Sequence, residues 1–521
     1  MDINPILLEV FKNRFSSIAE EMGVVLQRTS FSPNIKERKD FSCAIFNKEG
    51  DLISQAAHIP VHLGSMPLSV KFVIENLKFE EGDMVILNDP FKGGTHLPDI
   101  TIVSPVFYEN EIIFYVANRA HHSDIGGVSA GSMPIATSLF QEGVIIPPVK
   151  LVKKGKIDKE IMEFIKNNVR TPEEREGDFS AQINANNIGT KRLVELIDKY
   201  GVEKVNRYSK ALLDYTEKIM KEFIKTIPDG EYSFTDYMED DGISKKDIKI
   251  SVKIKIEKDK AVIDFSETDF QVEGSINAVK AITVSAVFYV FRSLIEEDIP
   301  TNAGCLKPIK LITEKGSLID ATFPSAVSAG NVETSQRIVD VLLGALSEAL
   351  PDRIPAASQG TMNNITIGGI NPETQKHFTY YETIGGGMGA SAKNNGESAI
   401  QSHMTNTLNT PIEALEFEYP FLVEKYKIRK NSGGKGLKNG GNGIIREYRF
   451  LTDVEITVIS ERRRIPPYGL FGGNPAETGK NYIVKNGKKV EKEGKFSEKL
   501  SKGDKLIIET PGGGGFGKLI T

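Results

Sequence analysis

Cysteine is scarce in this chain: Cys43 and Cys305 are its only two. Two thiols make no disulfide framework, and their mixed polar and apolar neighbours suit packing rather than nucleophilic attack. Long apolar runs are missing as well. The longest, near Ile282–Phe291, falls short of the ~20 residues that span a bilayer. The first residues carry Asp2 and lack the basic-then-apolar order of a secretory signal, so a cytoplasmic protein with no membrane partner is expected. There is no clustered basic face either. The net charge is −5 and the pI about 6.0, with Lys and Glu interspersed, which argues against nucleic acid as a partner. The basic runs Lys435–Lys438 and Arg462–Arg464 read as solvated loops. A nucleotide fingerprint is also lacking: Ile384-Gly385-Gly386-Gly387-Met388-Gly389 is glycine-rich, but no Gly-Lys-Ser/Thr follows it. No internal repeat is evident.

What is present is an ordinary globular composition, 40% hydrophobic and 26% charged over 521 residues. At ~150 residues per domain the length corresponds to about three to four domains. Histidine is sparse and uneven, with three of seven between His96 and His122. The spacing is His-x2-Asp, then His-His-x-Asp. Pro98 argues against a helix at His96–Asp99, because the residue before a proline is pushed out of the α region. ITIVSPVFY and EIIFYVANRA then flank Glu109-Asn110 and predict a β-hairpin. With Glu109 and Asn110 as the turn, partner numbers sum to 219, so Asp99 faces Ala120 and His121 is its diagonal neighbour. Asp99 and His121 reach the same open end, and His96 arrives in the loop before it. Two imidazoles and a carboxylate there suit a divalent metal with open positions. A slip of one residue exchanges His121 for His122. Asp124 suits orienting a ligand histidine through a hydrogen bond or capping the turn.

Elsewhere a helix is predicted from Pro5 to Thr29, capped by Asn4. Strands follow at Phe41–Phe46 and Asp51–Ser54. His58 and His62 lie in a Pro/Gly-interrupted loop before a helix from about Pro67 to Asn76, as secondary site candidates. Helices are expected at Lys159–Val169, from Thr171 towards Asn187, at Lys191–Lys199 and at Glu203–Thr226. A strand meander covers Glu231–Phe265, and a buried helix Ala278–Leu294. Asn331 opens another helix, whose free N–H groups suit an anion or simple capping. The fold class expected is mixed α/β (α+β) and multi-domain, with a hairpin-borne metal site, a helical middle and a β-rich, Gly-rich C-terminal domain. The expected division is 1–200, 201–300, 301–425 and 426–521.

The segments ERKDFSCAIF, HIPVHLGSMP, NDPFKGGTHLPDI, ANRAHHSDIGG, RTPEEREGDF, NVETSQR and PGGGGFG together resemble the hydantoinase B family. These are the B subunits of ATP-dependent hydantoinases, similar to the C-terminal half of eukaryotic 5-oxoprolinase and to the acetone carboxylase α subunit. The resemblance spans essentially the whole chain. It implies a partner A-type subunit that binds ATP and magnesium, in a hetero-oligomer such as A2B2. It implies that the A subunit phosphorylates the carbonyl oxygen of a small cyclic amide and that the B subunit completes ring opening. Acetone carboxylase holds manganese through His-x2-Asp and a more distant His; carried over, the ligands are His96, Asp99 and His121. Mn, Fe and Zn all suit such a set. His122 or Asp124 is expected to transfer a proton, and His62 with the Gly387–Gly389 loop to line the pocket. An acetone-carboxylase-like carboxylase subunit and a non-catalytic scaffold for the A chain are the alternatives.

Overall fold

The computed structural model describes residues 3–56, 59–244 and 247–519. It is a mixed α/β molecule built on several sheets, as expected. The first sheet has seven strands: β1 (Phe41–Asn47), β2 (Leu52–Gln55), β3 (Met84–Leu87), β4 (Asp99–Tyr108), β5 (Glu111–His121), β6 (Val149–Lys153) and β7 (Lys156–Ile157). Their order is β2-β1-β5-β4-β3-β6-β7, and the paired neighbours are antiparallel.

The predicted turn forms. Glu109 and Asn110 take φ of 50° and 66°, the left-handed pair that a two-residue hairpin loop of type I′ requires. The register differs from the expectation by one. Phe107 pairs with Ile112, but Val106 pairs with Phe114, so Ile113 is an extra residue on β5. From that bulge onward partner numbers sum to 220, and Asp99 faces His121 directly. A bulge inserts one residue and restarts the alternation.

Alternation along β5 decides which histidine faces which layer. Tyr115 and Ala117 join a core with α3 (Ser65–Asn76), α7 (Lys280–Ser293) and α8 (Ser335–Ala349). Phe114, Val116 and Ala120 join a core with α1 (Pro5–Thr29), α5 (Pro172–Tyr200) and α6 (Val202–Ile224). The shorter helices are α2 (Pro33–Lys36), α4 (Lys159–Lys166) and α9 (Ile412–Glu418). Asn4 caps α1, its Oδ1 accepting from the amides of Ile6 and Leu7 at 2.9 and 3.3 Å. The break expected near 187–191 does not occur. Asn186 sits mid-helix in α5 because its amide donates to Ile102 O at 3.0 Å and Ser104 Oγ at 2.9 Å. Tertiary contact overrides its weak helix propensity.

A second sheet, ordered β11-β10-β9-β8, contains β8 (Gly230–Met238), β9 (Ile248–Glu257), β10 (Lys260–Asp264) and β11 (Ile309–Ile312). Two further sheets pack around one C-terminal core. One is β13-β12-β16-β19, the other β14-β15-β20-β17-β18. Their strands are β12 (Asn364–Ile370), β13 (His377–Thr383), β14 (Phe421–Arg429), β15 (Gly443–Phe450), β16 (Val454–Ile459), β17 (Lys480–Lys485), β18 (Lys488–Lys492), β19 (Lys495–Leu500) and β20 (Lys505–Glu509). Hydrogen-bonded sheets therefore run across the sequence positions 300/301 and 425/426.

Arg462 is not on a solvated loop. It is 1% exposed and bonds Asp236 Oδ2 at 2.7 Å and Asp340 Oδ2 at 2.5 Å. Among the described residues, no helix is long and apolar enough to cross a membrane.

Candidate metal centre

The open end of the β4–β5 hairpin brings His96, Asp99 and His121 together. One ligand atom from each lies within 4.8 Å of the others, and all three residues are buried. His96 Nδ1 lies 3.1 Å from Ser328 O. A carbonyl only accepts, so Nδ1 carries the proton and Nε2 keeps its lone pair. Nε2 points at Asp99 Oδ2, 3.4 Å away. His62 reaches the same oxygen with its Nε2, also at 3.4 Å, while its Nδ1 meets Ser42 Oγ at 2.9 Å. Thr95 Oγ1 donates to Asp99 Oδ2 as well.

His121 is clamped from outside the hairpin. Its ring stacks on Tyr381 of β13, centroids 4.3 Å apart, and Arg38 lies over the other ring of that pair. Asn34 Nδ2 approaches His121 Nδ1 at 2.9 Å and donates to His121 O at 2.6 Å. Arg38 Nη1 donates to Asn34 Oδ1, which holds that amide in place. With Nδ1 accepting, the neutral ring carries its proton on Nε2. Ligation through Nε2 therefore requires that proton to leave or shift, with Asn34 turning its amide in the latter case.

Burial dominates the electrostatics. It pushes His121 well below the usual imidazole range, so the ring is neutral. Burial also lowers His62, against the pull of Asp99. Burial alone would raise Asp99, but the facing His96 and His62 hold it well below the usual carboxylate range. Asp40, beneath them, is pushed up to about 7 by burial despite Arg38. The result is one firm carboxylate among imidazoles, a hard-and-borderline donor set that suits a divalent cation. Asn331 Oδ1 is buried with no hydrogen-bond partner, as a ligand atom awaiting a cation would be, and the proton on His121 Nε2 likewise finds no acceptor. The residues present fit the group.

His122 is not part of this ring. One step along the chain, it faces α5: Nε2 lies 3.0 Å from Gln182 Oε1 and its ring 4.8 Å from Phe179. Burial, with Arg175 adding to it, takes His122 down to about 4. Asp124 also lies elsewhere. It accepts from the amides of Gly126, Gly131 and Arg170 and from Arg170 Nη1, which makes it the anchor of the 124–131 loop. Gly387 and Gly389 sit among crossing glycine-rich segments. Gly387 N donates to Pro511 O and Gly389 N to Ser358 Oγ, and a Cβ on Gly389 would meet Ala356 O at 1.8 Å. Met388 between them does line a cleft of about 540 Å³, with Pro60, Tyr289 and His403. Pro60 opens the single turn that ends at His62, so that turn lies between cleft and cluster. His58 lies outside the described residues. Tyr381, Asn34 and Thr95 escaped the sequence reading, and Asn331 enters it only as the start of a helix, not as part of this site. Three of these join the hairpin from distant segments, and no local spacing marks them.

Comparison with known proteins places this geometry in context. The family profile described as hydantoinase B/oxoprolinase matches residues 4–519. An uncharacterised protein of Methanocaldococcus jannaschii is 45% identical, covering 99% of this chain and 91% of its own. The 5-oxoprolinase of Dictyostelium discoideum is 42% identical over 99% of this chain, which spans 40% of that protein's length. The crystal structure of an ATP-dependent caprolactamase from Pseudomonas jessenii superposes with a TM-score of 0.92 at 28% identity, covering 99% of this chain and 92% of that one.

Proposed function

The chain belongs to the hydantoinase B/oxoprolinase family, and from that premise we propose that it is the catalytic B subunit of an ATP-dependent cyclic amide hydrolase. The observation that carries the reading is the buried trio His96, Asp99 and His121, with ligand atoms within 4.8 Å. These three would hold a divalent cation, Mn, Fe or Zn. Such a cation would supply Lewis acidity and lower the pKa of water towards ~7. The protein's own groups do the rest. Ser328 O fixes the tautomer of His96, Thr95 orients Asp99, and Tyr381 holds the plane of His121. His62 takes the proton-transfer role: its Nε2 faces Asp99 Oδ2 and burial keeps the ring neutral, ready to accept. Burial of the three side chains keeps bulk water from their ligand atoms.

An unstrained amide is a poor electrophile. Phosphorylating its oxygen, in a partner A subunit that binds ATP, creates a leaving group and an electrophilic ring carbon. The lack of a phosphate loop in this sequence and the names 5-oxoprolinase and caprolactamase among its relatives support this division of labour. The test is to co-purify the chain with an A-type subunit. Phosphate release and ring opening are then measured with 5-oxoproline, hydantoin, N-methylhydantoin, caprolactam, and acetone plus bicarbonate. One cyclic amide is expected to drive both signals. Turnover with acetone and bicarbonate alone would replace this reading with a carboxylase.

A further inference from the structure

We propose that Asn331 is a further protein ligand of the cation, presenting its amide oxygen to the centre when the site is filled. The inference rests on the reading that His96, Asp99 and His121 hold a divalent ion.

Asn331 Nδ2 lies 3.0 Å from His96 Nε2 and 3.4 Å from Asp99 Oδ2. Both of those atoms present lone pairs, His96 because its proton is committed to Ser328 O. The amide N–H groups thus satisfy the electron pairs that a cation would take. The other half of the same amide, Oδ1, is buried without a partner, although Asn331 is only 4% exposed. Leaving a buried acceptor unmade costs about 1–3 kcal/mol. A half-turn of the amide exchanges Nδ2 and Oδ1 without changing its volume. Oxygen facing those two lone pairs is repulsive unless a cation lies between them. The side chain therefore has two stable settings: nitrogen inward without the ion, oxygen inward with it.

The backbone is built to aim this one group. Residues Gly330–Thr334 form a π-turn ahead of α8, a local widening often found at functional sites. Gly330 packs so tightly that a Cβ would stand 1.9 Å from Asn277 O. Ser335 Oγ donates to Asn331 O at 2.7 Å. An amide oxygen is a hard, neutral ligand, so it adds a donor without a second negative charge and favours Mn or Fe over four-coordinate Zn.

The test is Mn2+ binding to metal-free protein, by titration calorimetry and by the free-Mn2+ EPR signal. Wild type, Asn331→Ala and Asn331→Asp are compared after circular dichroism shows each folded. The expected result is a Kd raised about 10- to 100-fold in Asn331→Ala and restored in Asn331→Asp, which keeps an oxygen ligand. Wild-type affinity in Asn331→Ala overturns the proposal. So does loss of affinity in both variants, which assigns Asn331 a donor role instead. Absence of binding by wild type itself removes the metal reading beneath it.

Discussion

Two regions of this molecule bury many ionisable groups, and they satisfy them in opposite ways. Around Arg462 every charge has a permanent opposite. Arg462 bridges Asp236 and Asp340, Arg337 pairs with Glu461 at 3.2 Å, and Lys495 pairs with the other oxygen of Glu461 at 2.5 Å. Glu239 accepts from the amides of Arg463, Arg464 and Ile465. Around Asp99, among the described residues, the ion-pair partners are His62 and His96. Imidazoles are charged only when protonated, and burial opposes that for His62 and His121. The first region is a closed account of charge that locks β8, α8 and the 461–465 segment together. The second meets its carboxylate directly with imidazoles, and the buried Arg119 guanidinium acts on it only through space. Burial alone thus does not mark a candidate site; a carboxylate whose direct partners are imidazoles does.

Removing the carboxylate should separate the two regions most sharply. Asp99→Asn is expected to abolish bound metal and to cut ATP-coupled ring opening by about 100- to 1,000-fold, equivalent to several kcal/mol of charge stabilisation. Full metal content by elemental analysis would dissolve the contrast. Arg462→Ala should do the reverse. It strands Asp236 and Asp340 and is expected to cost about 3–5 kcal/mol in chemical denaturation, while the folded fraction keeps its metal.

Glu142 sharpens the comparison through pH. Its Oε1 accepts from the amides of Val327 and Ser328, yet burial pushes the carboxyl up to about 7. The folded protein holds this proton more tightly than the unfolded chain does. Its contribution is therefore complete below about pH 4.5 and is lost as pH rises through about 7. Glu142→Gln should flatten that decline, worth about 3 kcal/mol across the window, in denaturation curves at successive pH values. An unchanged slope would place the proton elsewhere. The smallest effect belongs to the hairpin turn. Glu109→Asn suits φ of 50° and should add about 0.5–1 kcal/mol with no change in metal affinity.

Much of the site was legible because it is local. Hydrophobic alternation and Glu109-Asn110 define a hairpin whose ends carry Asp99 and His121, and Pro98 keeps His96 in the preceding loop. The choice between His121 and His122 was not legible, because it depends on the bulge at Ile113. Such an insertion leaves no mark in the alternation of residue types. Arg462 looked solvated because a basic run carries no record of the carboxylates that meet it from β8 and α8, whereas Arg464 is exposed as expected.

By itself, then, the sequence determined the hairpin, the long capped helices, the candidate ligands His96 and Asp99, and the family. Only the tertiary structure decided the register that puts Asp99 opposite His121. It alone brought in His62, Asn331 and Tyr381 to close the site, and turned His122 and Asp124 away from it. Periodicity and capping encode hydrogen bonds between near neighbours in the chain. Contacts between Asp99 and a residue in a turn ahead of α8 depend on how separate layers dock, and no local pattern records that docking.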